Sequence, residues 1–154
     1  VLDGQPPGLD PAHIQDEPGG TVVYTMDKNG NRTDYTSEDS TQLDIPMVVL
    51  VNGNSASASE IFTAAMKDYE WATIIGTTTY GKGVYQSIYS LNDGSGLKIT
   101  VGKFYSPLGN NFDQTGIEPD IELEYENTGG EDAPYSAQTD NQLQKAIEYL
   151  NNND

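Results

Sequence analysis

The chain has 154 residues, enough for one domain with a sizeable core and too few for two. Seven Lys and Arg residues against 24 Asp and Glu residues give a net charge of −17. Such a field repels the phosphates of nucleic acids and anionic lipids alike. No apolar run approaches the roughly 20 residues of a membrane-spanning helix, and the first residues lack the basic and apolar regions of a signal peptide. We therefore expect no nucleic-acid partner and no transmembrane segment in this chain.

The first third of the chain predicts an irregular arm, a hairpin and a buried strand. Residues 1–20 contain four of the eight prolines and no apolar period, so we expect an irregular N-terminal arm there. Thr21–Met26 is β-branched and aromatic, and it is predicted to pair with Arg32–Tyr35 across Asn29-Gly30, a favoured two-residue turn. Pro46–Val51 is a continuous apolar run, typical of a buried parallel strand.

An amphipathic helix is predicted from Ser57 to about Tyr69. Its apolar residues recur three and four positions apart on one face, while Glu60 and Thr63 lie on other faces. A short strand, Ala72–Ile75, follows the helix. The predicted apolar face consists of Ala58, Ile61, Phe62, Ala65, Met66 and Tyr69.

The second half of the chain predicts a hairpin, a last strand and a last helix. Val84–Leu91 and Leu97–Tyr105 are predicted to pair with each other across a turn that contains Asp93-Gly94. Asp120–Tyr125 offers the last strand. Residues 129–154 are predicted to form a linker and a C-terminal helix, with Asp140 as its N-cap.

Ser57 and Lys82 are the candidate nucleophile and base. The chain has no cysteine, and its only histidine, His13, is far from both residues in sequence, so a serine nucleophile here needs another base. A helix carries the chain away from Ser57 at ~1.5 Å per residue, and a strand can return it at ~3.3 Å per residue. The mechanism requires a neutral amine, which burial favours, so an exposed Lys82 does not serve. Gly81 and Gly83 leave the lysine main chain free to enter a tight turn or to lie against a substrate strand.

Both motifs also have structural interpretations. Ser57 and Glu60 match a capping box, in which the two residues satisfy free amides at a helix start. A Gly-Lys-Gly sequence around Lys82 is commonly a solvated turn with a charged tip. It is the combination of the two motifs, without a competing nucleophile and base, that favours an enzyme.

Six groups of residues form an ordered set of motifs. They are Asn54–Ile61, Asp68-Tyr69, Ile75–Gln86, Leu97–Thr100, Tyr105–Gly109 and Gly116–Asp120. Together they resemble the C-terminal processing, or tail-specific, protease family, and an ordered set is far more specific than one motif. The resemblance covers roughly residues 21–150. It implies an α/β fold of the ClpP/crotonase-like type, with a mixed sheet and flanking helices, incomplete at its N-terminus.

The resemblance also implies a role for each site residue. Ser57 corresponds to the family nucleophile, Lys82 to the general base, and Gln86 to the residue that supports the lysine. The N–H of Ala58, at the helix start, is the natural oxyanion donor, and Gly81 and Gly83 are the expected substrate-binding positions. Asp68 matches a further family acid and is predicted to be structural. No cofactor and no metal ion are expected.

Two parts of the family pattern are missing from the sequence. The family takes its second oxyanion donor from an Asn-Pro-Gly-Gly-like loop well before the strand that matches Thr21–Thr25, whereas Pro18–Gly20 abuts that strand directly and is predicted to be a coincidental turn. The family's PDZ-type peptide-binding domain is missing too. We therefore expect residues 21–128 to be the C-terminal part of a peptidase core whose parent protein is extracytoplasmic and bacterial, membrane-anchored or secreted.

Other candidate sites receive structural interpretations. Four residues occupy calcium-loop positions, but Arg32 stands where a glycine is required, so a hairpin turn is predicted there. His13 is expected to be exposed and silent. Several tyrosines can line a peptide groove, although tyrosines on strands are commonly half-buried packing residues. The calcium-loop positions are Asp27, Asn29, Asn31 and Glu38, and the tyrosines are Tyr80, Tyr85, Tyr89 and Tyr105.

Three functional hypotheses follow from the sequence. The first is a serine endopeptidase that cuts polypeptides near their C-termini, favoured because Ser57, Lys82 and Gln86 are all present. The second is a non-catalytic module on the same fold that binds a peptide or an apolar ligand. The third is an inert segment of a protease, with uncovered sheet edges through which it self-associates.

Overall fold

The computed structural model describes residues 20–37, 45–130 and 134–153. These residues form seven strands and two helices, arranged as one antiparallel sheet, one parallel sheet and helices packed against them. The elements are β1 (Thr21–Asp27), β2 (Arg32–Thr36), β3 (Val48–Val51), α1 (Ala58–Asp68), β4 (Thr73–Gly76), β5 (Val84–Ser90), β6 (Gly96–Tyr105), β7 (Ile121–Glu122) and α2 (Asn141–Asn152).

The antiparallel sheet contains both predicted hairpins, with the strand order β2-β1-β6-β5. The turn between β1 and β2 differs from the predicted two-residue turn. The Asp27 N–H donates to the Asn31 carbonyl and the Gly30 N–H to the Asp27 carbonyl, so three residues form the loop. Gly30 has a φ of 83°, the left-handed conformation that such three-residue loops require and that glycine adopts without strain.

The parallel sheet has the strand order β3-β4-β7. Its strand β3 lies within the apolar run before Ser57, which predicted a parallel strand there. The strand β7 is much shorter than the predicted Asp120–Tyr125, because the backbone beyond Glu122 bonds to side chains of α2 instead. The Gln142 amide donates to the Leu123 carbonyl, and the Asn141 amide donates to the Glu124 carbonyl. This exchange fastens α2 beside the sheet, and the Asp140 carboxylate caps the helix by accepting from the Leu143 N–H at 2.9 Å.

The helix α1 contacts β1 of one sheet and β4 of the other. Its buried face includes Ala65 and Tyr69, as predicted, but is rotated relative to the predicted face. Glu60 and Thr63, predicted on other faces, are almost completely buried, whereas Phe62 is 48% exposed and Ala58 is exposed. The rotation has a specific cause: the Glu60 side chain is hydrogen-bonded inside the protein, so the helix turns this polar residue toward the core.

Two apolar clusters fill the core between these elements. One joins Val51, Ala72 and Ile74 around the parallel strands, and the other joins Ala64 of α1 to Phe112 and Ile117. The second cluster seats the loop that follows β6 against the helix. Neither of the two described helices is long and apolar enough to cross a membrane.

Candidate active site

Ser57 stands at the turn between β3 and α1 with a strained main chain. Its φ of 60° and ψ of −113° lie outside the regions that a non-glycine residue usually adopts. Such strain persists only where the surrounding contacts enforce it, and it is concentrated at functional sites. The turn therefore holds the serine at the beginning of the helix in a conformation that the isolated chain disfavours.

The capping box predicted at the start of α1 is present. The Glu60 carboxylate accepts from the Ser57 N–H at 2.9 Å, which supplies one half of the predicted capping box. In the other half the Ser57 side chain faces the Glu60 N–H without a regular hydrogen bond, and that N–H donates to the Ser57 carbonyl. Within the described residues the Ala58 N–H also has no hydrogen-bond partner. A hydroxyl and a free amide thus stand next to each other at the positive end of the α1 dipole.

Glu60 connects the start of α1 to the loop that carries Lys82. Its side chain is completely buried, and its two oxygens accept four hydrogen bonds. One oxygen accepts from the Thr79 hydroxyl at 2.7 Å and the Gly81 N–H at 2.6 Å. The other accepts from the Ser57 N–H at 2.9 Å and the Lys82 N–H at 2.8 Å. Because the amides of Ser57 and Lys82 share one oxygen atom, the two main chains lie side by side.

Thr79 extends this network to a second loop. Its hydroxyl donates to Glu60 and accepts from the Ile117 N–H at 2.8 Å, and it is 5% exposed. The Thr79 N–H in turn donates to the Ile117 carbonyl, and the Tyr80 N–H donates to the Ser55 carbonyl. The loop before Lys82 is therefore fixed on both sides, by the serine turn and by the segment before β7.

The two glycines beside Lys82 have a packing role in the structure. Gly81 has a φ of 87°, and a Cβ there would lie 2.9 Å from the Gly116 nitrogen. A Cβ on Gly83 would lie 2.5 Å from the Asp113 nitrogen. Both positions exclude a side chain because the main chain at residues 113–116 lies against them. This contact is sufficient to explain why both positions are glycine. Their role in substrate binding remains a prediction.

The main chains of the predicted dyad are held together by Glu60, but the two side chains are not hydrogen-bonded to each other. In the part of the chain that the structure describes, no hydrogen bond joins the Ser57 hydroxyl to the Lys82 amine. Lys82 is exposed and Ser57 is half-buried. Gln86 is an exposed residue of β5 opposite Thr100, and it follows directly on a bulge in the ladder. Lys82 therefore lacks, in this structure, the burial that a neutral amine requires.

A groove opens beside the serine turn. It has a volume of about 470 Å³, and Ala58 with its free amide belongs to its wall. Mostly small and apolar side chains make this groove a candidate pocket for an apolar group of a ligand. Its lining residues are Val49, Leu50, Val51, Ser55, Ala58, Ser59, Phe62 and Thr63.

The other candidate residues have structural roles where the structure describes them. Asp68 accepts from the Leu108 N–H at 2.8 Å, which fixes the loop after β6 to α1. The Asp27 carboxylate accepts from the main-chain N–H groups of Asn29 and Asn31, as a hairpin turn requires. No group of three or more His, Cys, Asp or Glu residues in the described ranges is arranged to hold a metal ion. His13, Pro18 and Glu38 lie outside the described residues.

The tyrosines divide between packing and exposure. Tyr105 stacks on Tyr24 with ring centroids 5.0 Å apart, and Tyr85 packs against Phe104 at 5.7 Å. Tyr80 and Tyr89 are exposed, at 66% and 49%. Of the four candidate tyrosines, Tyr80 and Tyr89 are therefore the more accessible to a ligand.

Sequence reasoning identified Glu60 only as a helix-capping residue and did not single out Thr79. The hydrogen bond between them joins positions 19 residues apart, a distance over which no local pattern operates. One signal was available: a glutamate three residues after the serine, on a predicted amphipathic helix, has to be either solvated or bound by donors from elsewhere in the fold.

Comparisons with known proteins identify the family of the chain. A model described as peptidase family S41 matches residues 13–123. The carboxyl-terminal-processing protease of Synechocystis is 41% identical over 107 residues, which cover 70% of this chain and 25% of that protein. Carboxyl-terminal-processing peptidase 2, chloroplastic, of Arabidopsis thaliana is 42% identical over 106 residues, 68% of this chain and 21% of that protein.

Solved structures confirm the mixed α/β fold. The photosystem II D1 C-terminal processing protease superposes with a TM-score of 0.65 at 37% identity, over 69% of this chain and 28% of that one. A putative S41 protease from Bacteroides fragilis gives a TM-score of 0.68 at 18% identity, over 95% of this chain and 39% of that one, and supports the fold alone. The chain spans about a quarter of the length of the first two relatives.

Proposed function

The chain belongs to peptidase family S41, and from this membership we propose that it carries the Ser57–Lys82 dyad of a serine endopeptidase. The proposed substrates are polypeptides, cut near their C-termini. The observation that carries the proposal is the shared Glu60 oxygen, which accepts from the amides of both Ser57 and Lys82. A buried side chain that ties a strained serine to a lysine loop has a clear use in aligning a nucleophile with its base.

The proposed mechanism assigns one proton path. The neutral Lys82 amine takes the proton from the Ser57 hydroxyl as its oxygen attacks the substrate carbonyl carbon. The resulting ammonium group then protonates the leaving amine as the peptide bond breaks, and water hydrolyses the acyl-enzyme with Lys82 again as the base. Gln86 is assigned the role of orienting the lysine.

The free Ala58 N–H is the proposed donor to the oxyanion. It stands next to Ser57 at the helix start, where the dipole favours negative charge. We identify no second donor among residues 20–37, 45–130 and 134–153. Loss of one donor typically reduces the rate by ~10²–10³, so we expect weak peptide cleavage when this stretch is assayed alone.

The proposed location is extracytoplasmic, in a bacterial protein that is membrane-anchored or secreted. The relatives that support this proposal are the processing proteases of Synechocystis and Bartonella bacilliformis. The proposed division of the chain has three parts. An irregular arm covers residues 1–20, the peptidase-core segment covers residues 21–128, and a linker with the C-terminal helix covers residues 129–154. Self-association is proposed through the edge of β3, where Leu50 and Phe62 are 38% and 48% exposed.

A non-catalytic peptide- or ligand-binding module is the second candidate function. It is favoured by the exposure of Lys82 and by the lack of a hydrogen bond between its amine and the Ser57 hydroxyl within the described residues. A module of this kind would use the groove beside α1 and would need neither a base nor an oxyanion donor.

Labelling with a fluorophosphonate probe distinguishes the two functions, because the probe reacts covalently only with an activated serine. We expect labelling of the wild-type chain, none of Ser57→Ala, and at least ~10²-fold slower labelling of Lys82→Ala. Ser59→Ala is the matched control, since its hydroxyl lies two residues along the same helix and forms no hydrogen bond in the described structure. Equal labelling of wild type and Ser57→Ala would overturn the protease proposal.

A further inference from the structure

The two edges of the antiparallel sheet are protected very differently. The edge strand β2 is five residues long and carries Arg32 and Asp34, which form an ion pair. The opposite edge strand, β5, has seven residues, Val-Tyr-Gln-Ser-Ile-Tyr-Ser, with no charge and no proline. Natural proteins blunt free edges with charges, prolines or short strands. In a chain with a net charge of −17, an uncharged edge with a tyrosine next to each end is a surface suited to pairing with another strand.

The outward-facing groups of β5 follow from two hydrogen bonds at its ends. The Phe104 N–H donates to the Gly83 carbonyl before the strand, and the Leu91 N–H donates to the Ser95 carbonyl after it. In an antiparallel ladder, hydrogen-bonded and non-hydrogen-bonded residues alternate. Counting from either end gives the same result, so four residues turn their N–H and C=O groups away from β6. These residues are Val84, Gln86, Ile88 and Ser90.

This edge is unpaired in the part of the chain that the structure describes, and it begins beside the candidate dyad. β5 is the last strand of its sheet, and Val84 is only two residues from Lys82. Ile88 is 72% exposed and Tyr89 is 49% exposed. A ligand strand on this edge would meet the exposed apolar side chains of Ile88 and Tyr89, and its main chain would pass Lys82.

We propose that the outer edge of β5 binds the substrate polypeptide as an added strand, with the main-chain groups of Val84, Gln86, Ile88 and Ser90 as its partners. The inference deepens the proposed protease function, since it names how the substrate reaches the site. Main-chain hydrogen bonds do not depend on the sequence of the ligand, and the exposed side chains of β5 include Ile88 and Tyr89 but no charge. An extended, uncharged and largely apolar stretch of polypeptide therefore fits this edge. The added strand also excludes water from the exposed Lys82, which is the burial that the lysine base requires.

The test measures peptide binding to the Ser57→Ala variant, so that the outcome does not depend on catalysis. The probe is a fluorescein-labelled peptide of about ten Ala, Val and Ser residues, long enough to span the strand at ~3.3 Å per residue. Single N-methyl groups are placed at each peptide position in turn. We expect affinity to fall about threefold to tenfold at every second position and to change little between them. An equal effect at all positions would overturn the proposal.

A protein variant tests the same edge from the other side. Val84→Pro removes an outward N–H and leaves the β5–β6 hydrogen bonds intact, so it is expected to weaken peptide binding by about threefold to tenfold. The matched variant Val84→Ala shortens the same side chain and keeps the N–H, so it is expected to lose less than about half of that effect. Unchanged affinity of a folded Val84→Pro variant would contradict the proposal, and if this variant does not fold, the N-methyl series decides.

A second copy of the chain is the competing occupant of this edge. Sedimentation of the same Ser57→Ala sample with and without peptide separates the two cases. Substrate binding predicts that the peptide binds at a protein concentration at which the chain is monomeric. A dimer that Val84→Pro abolishes and that excludes the peptide would assign the edge to self-association and overturn the proposal. Failure of the fluorophosphonate labelling together with alternating N-methyl effects would reject the protease chemistry alone.

Discussion

The Glu60 carboxylate lies 2.6 Å from the Gly81 nitrogen and accepts its N–H inside the protein. This bond joins the first turn of α1 to the loop of the candidate base, across 21 residues of sequence. Together with the bonds to Ser57 and Lys82, it makes a buried acid the connection between the two catalytic candidates. In the proposed protease, the alignment of the site would therefore depend on a residue that need not touch the substrate.

Glu60→Gln is expected to reduce both stability and labelling of Ser57. A glutamine places an NH₂ group against N–H and O–H donors, so two of the four bonds are lost in a buried site. We expect a loss of about 2–4 kcal/mol in the free energy of unfolding, measured by chemical denaturation. Glu148→Gln, on the exposed face of α2, is the matched control, with an expected change below about 0.5 kcal/mol. Labelling of folded Glu60→Gln at the wild-type rate would contradict the positioning role.

Gly81→Ala and Gly94→Ala separate packing from backbone strain. Both glycines have a positive φ, of 87° and 85°. An alanine Cβ at position 94 meets nothing within 4 Å, whereas at position 81 it meets the main chain of Gly116. We expect Gly94→Ala to cost about 1–2 kcal/mol from φ alone and Gly81→Ala to cost at least about 1–3 kcal/mol more. Equal denaturation midpoints for the two variants would show that the loop moves aside.

Lys82→Arg is expected to abolish labelling of Ser57 and to leave stability unchanged. The side chain is exposed and forms no hydrogen bond within the described residues, so the free energy of unfolding should change by less than about 0.5 kcal/mol. A guanidinium group keeps its charge and does not accept the serine proton. Fluorophosphonate labelling and chemical denaturation of the same sample check the two statements together. Substantial labelling of the arginine variant would reject the lysine as base.

The hairpin between β1 and β2 is expected to weaken in acid because of Asp27. Hydrogen bonds from the Asn31 side chain, and then from the Asn31 main chain, lower the pKa of Asp27 below its usual value of 3.8. A depressed carboxyl pKa stabilises the folded state above the unfolded pKa, and this contribution is lost as the pH falls through the folded pKa. Asp27→Ala should therefore show a smaller drop in denaturation midpoint between pH ~5 and pH ~2 than wild type. Parallel pH curves for the two proteins would contradict this expectation.

Local sequence patterns determined most of the secondary structure. Alternation and turn residues predicted the hairpins of β1–β2 and β5–β6, and the helical period predicted α1 within about one residue at each end. Asp140 identified the start of α2, because an N-cap is a contact between residues three positions apart. The ordered motifs around Ser57 and Lys82 identified the family.

Only the tertiary structure decided which face of α1 is buried, where β7 ends and what aligns the site. The periodicity of α1 counted Glu60 as a polar surface residue, but its carboxylate is bound by the loop 19 to 22 residues later. β7 stops early because Asn141 and Gln142 compete for its carbonyls. The physical reason is the same in each case: hydrogen-bond partners distant in sequence satisfy groups that local patterns leave open, and their positions exist only once the chain has folded.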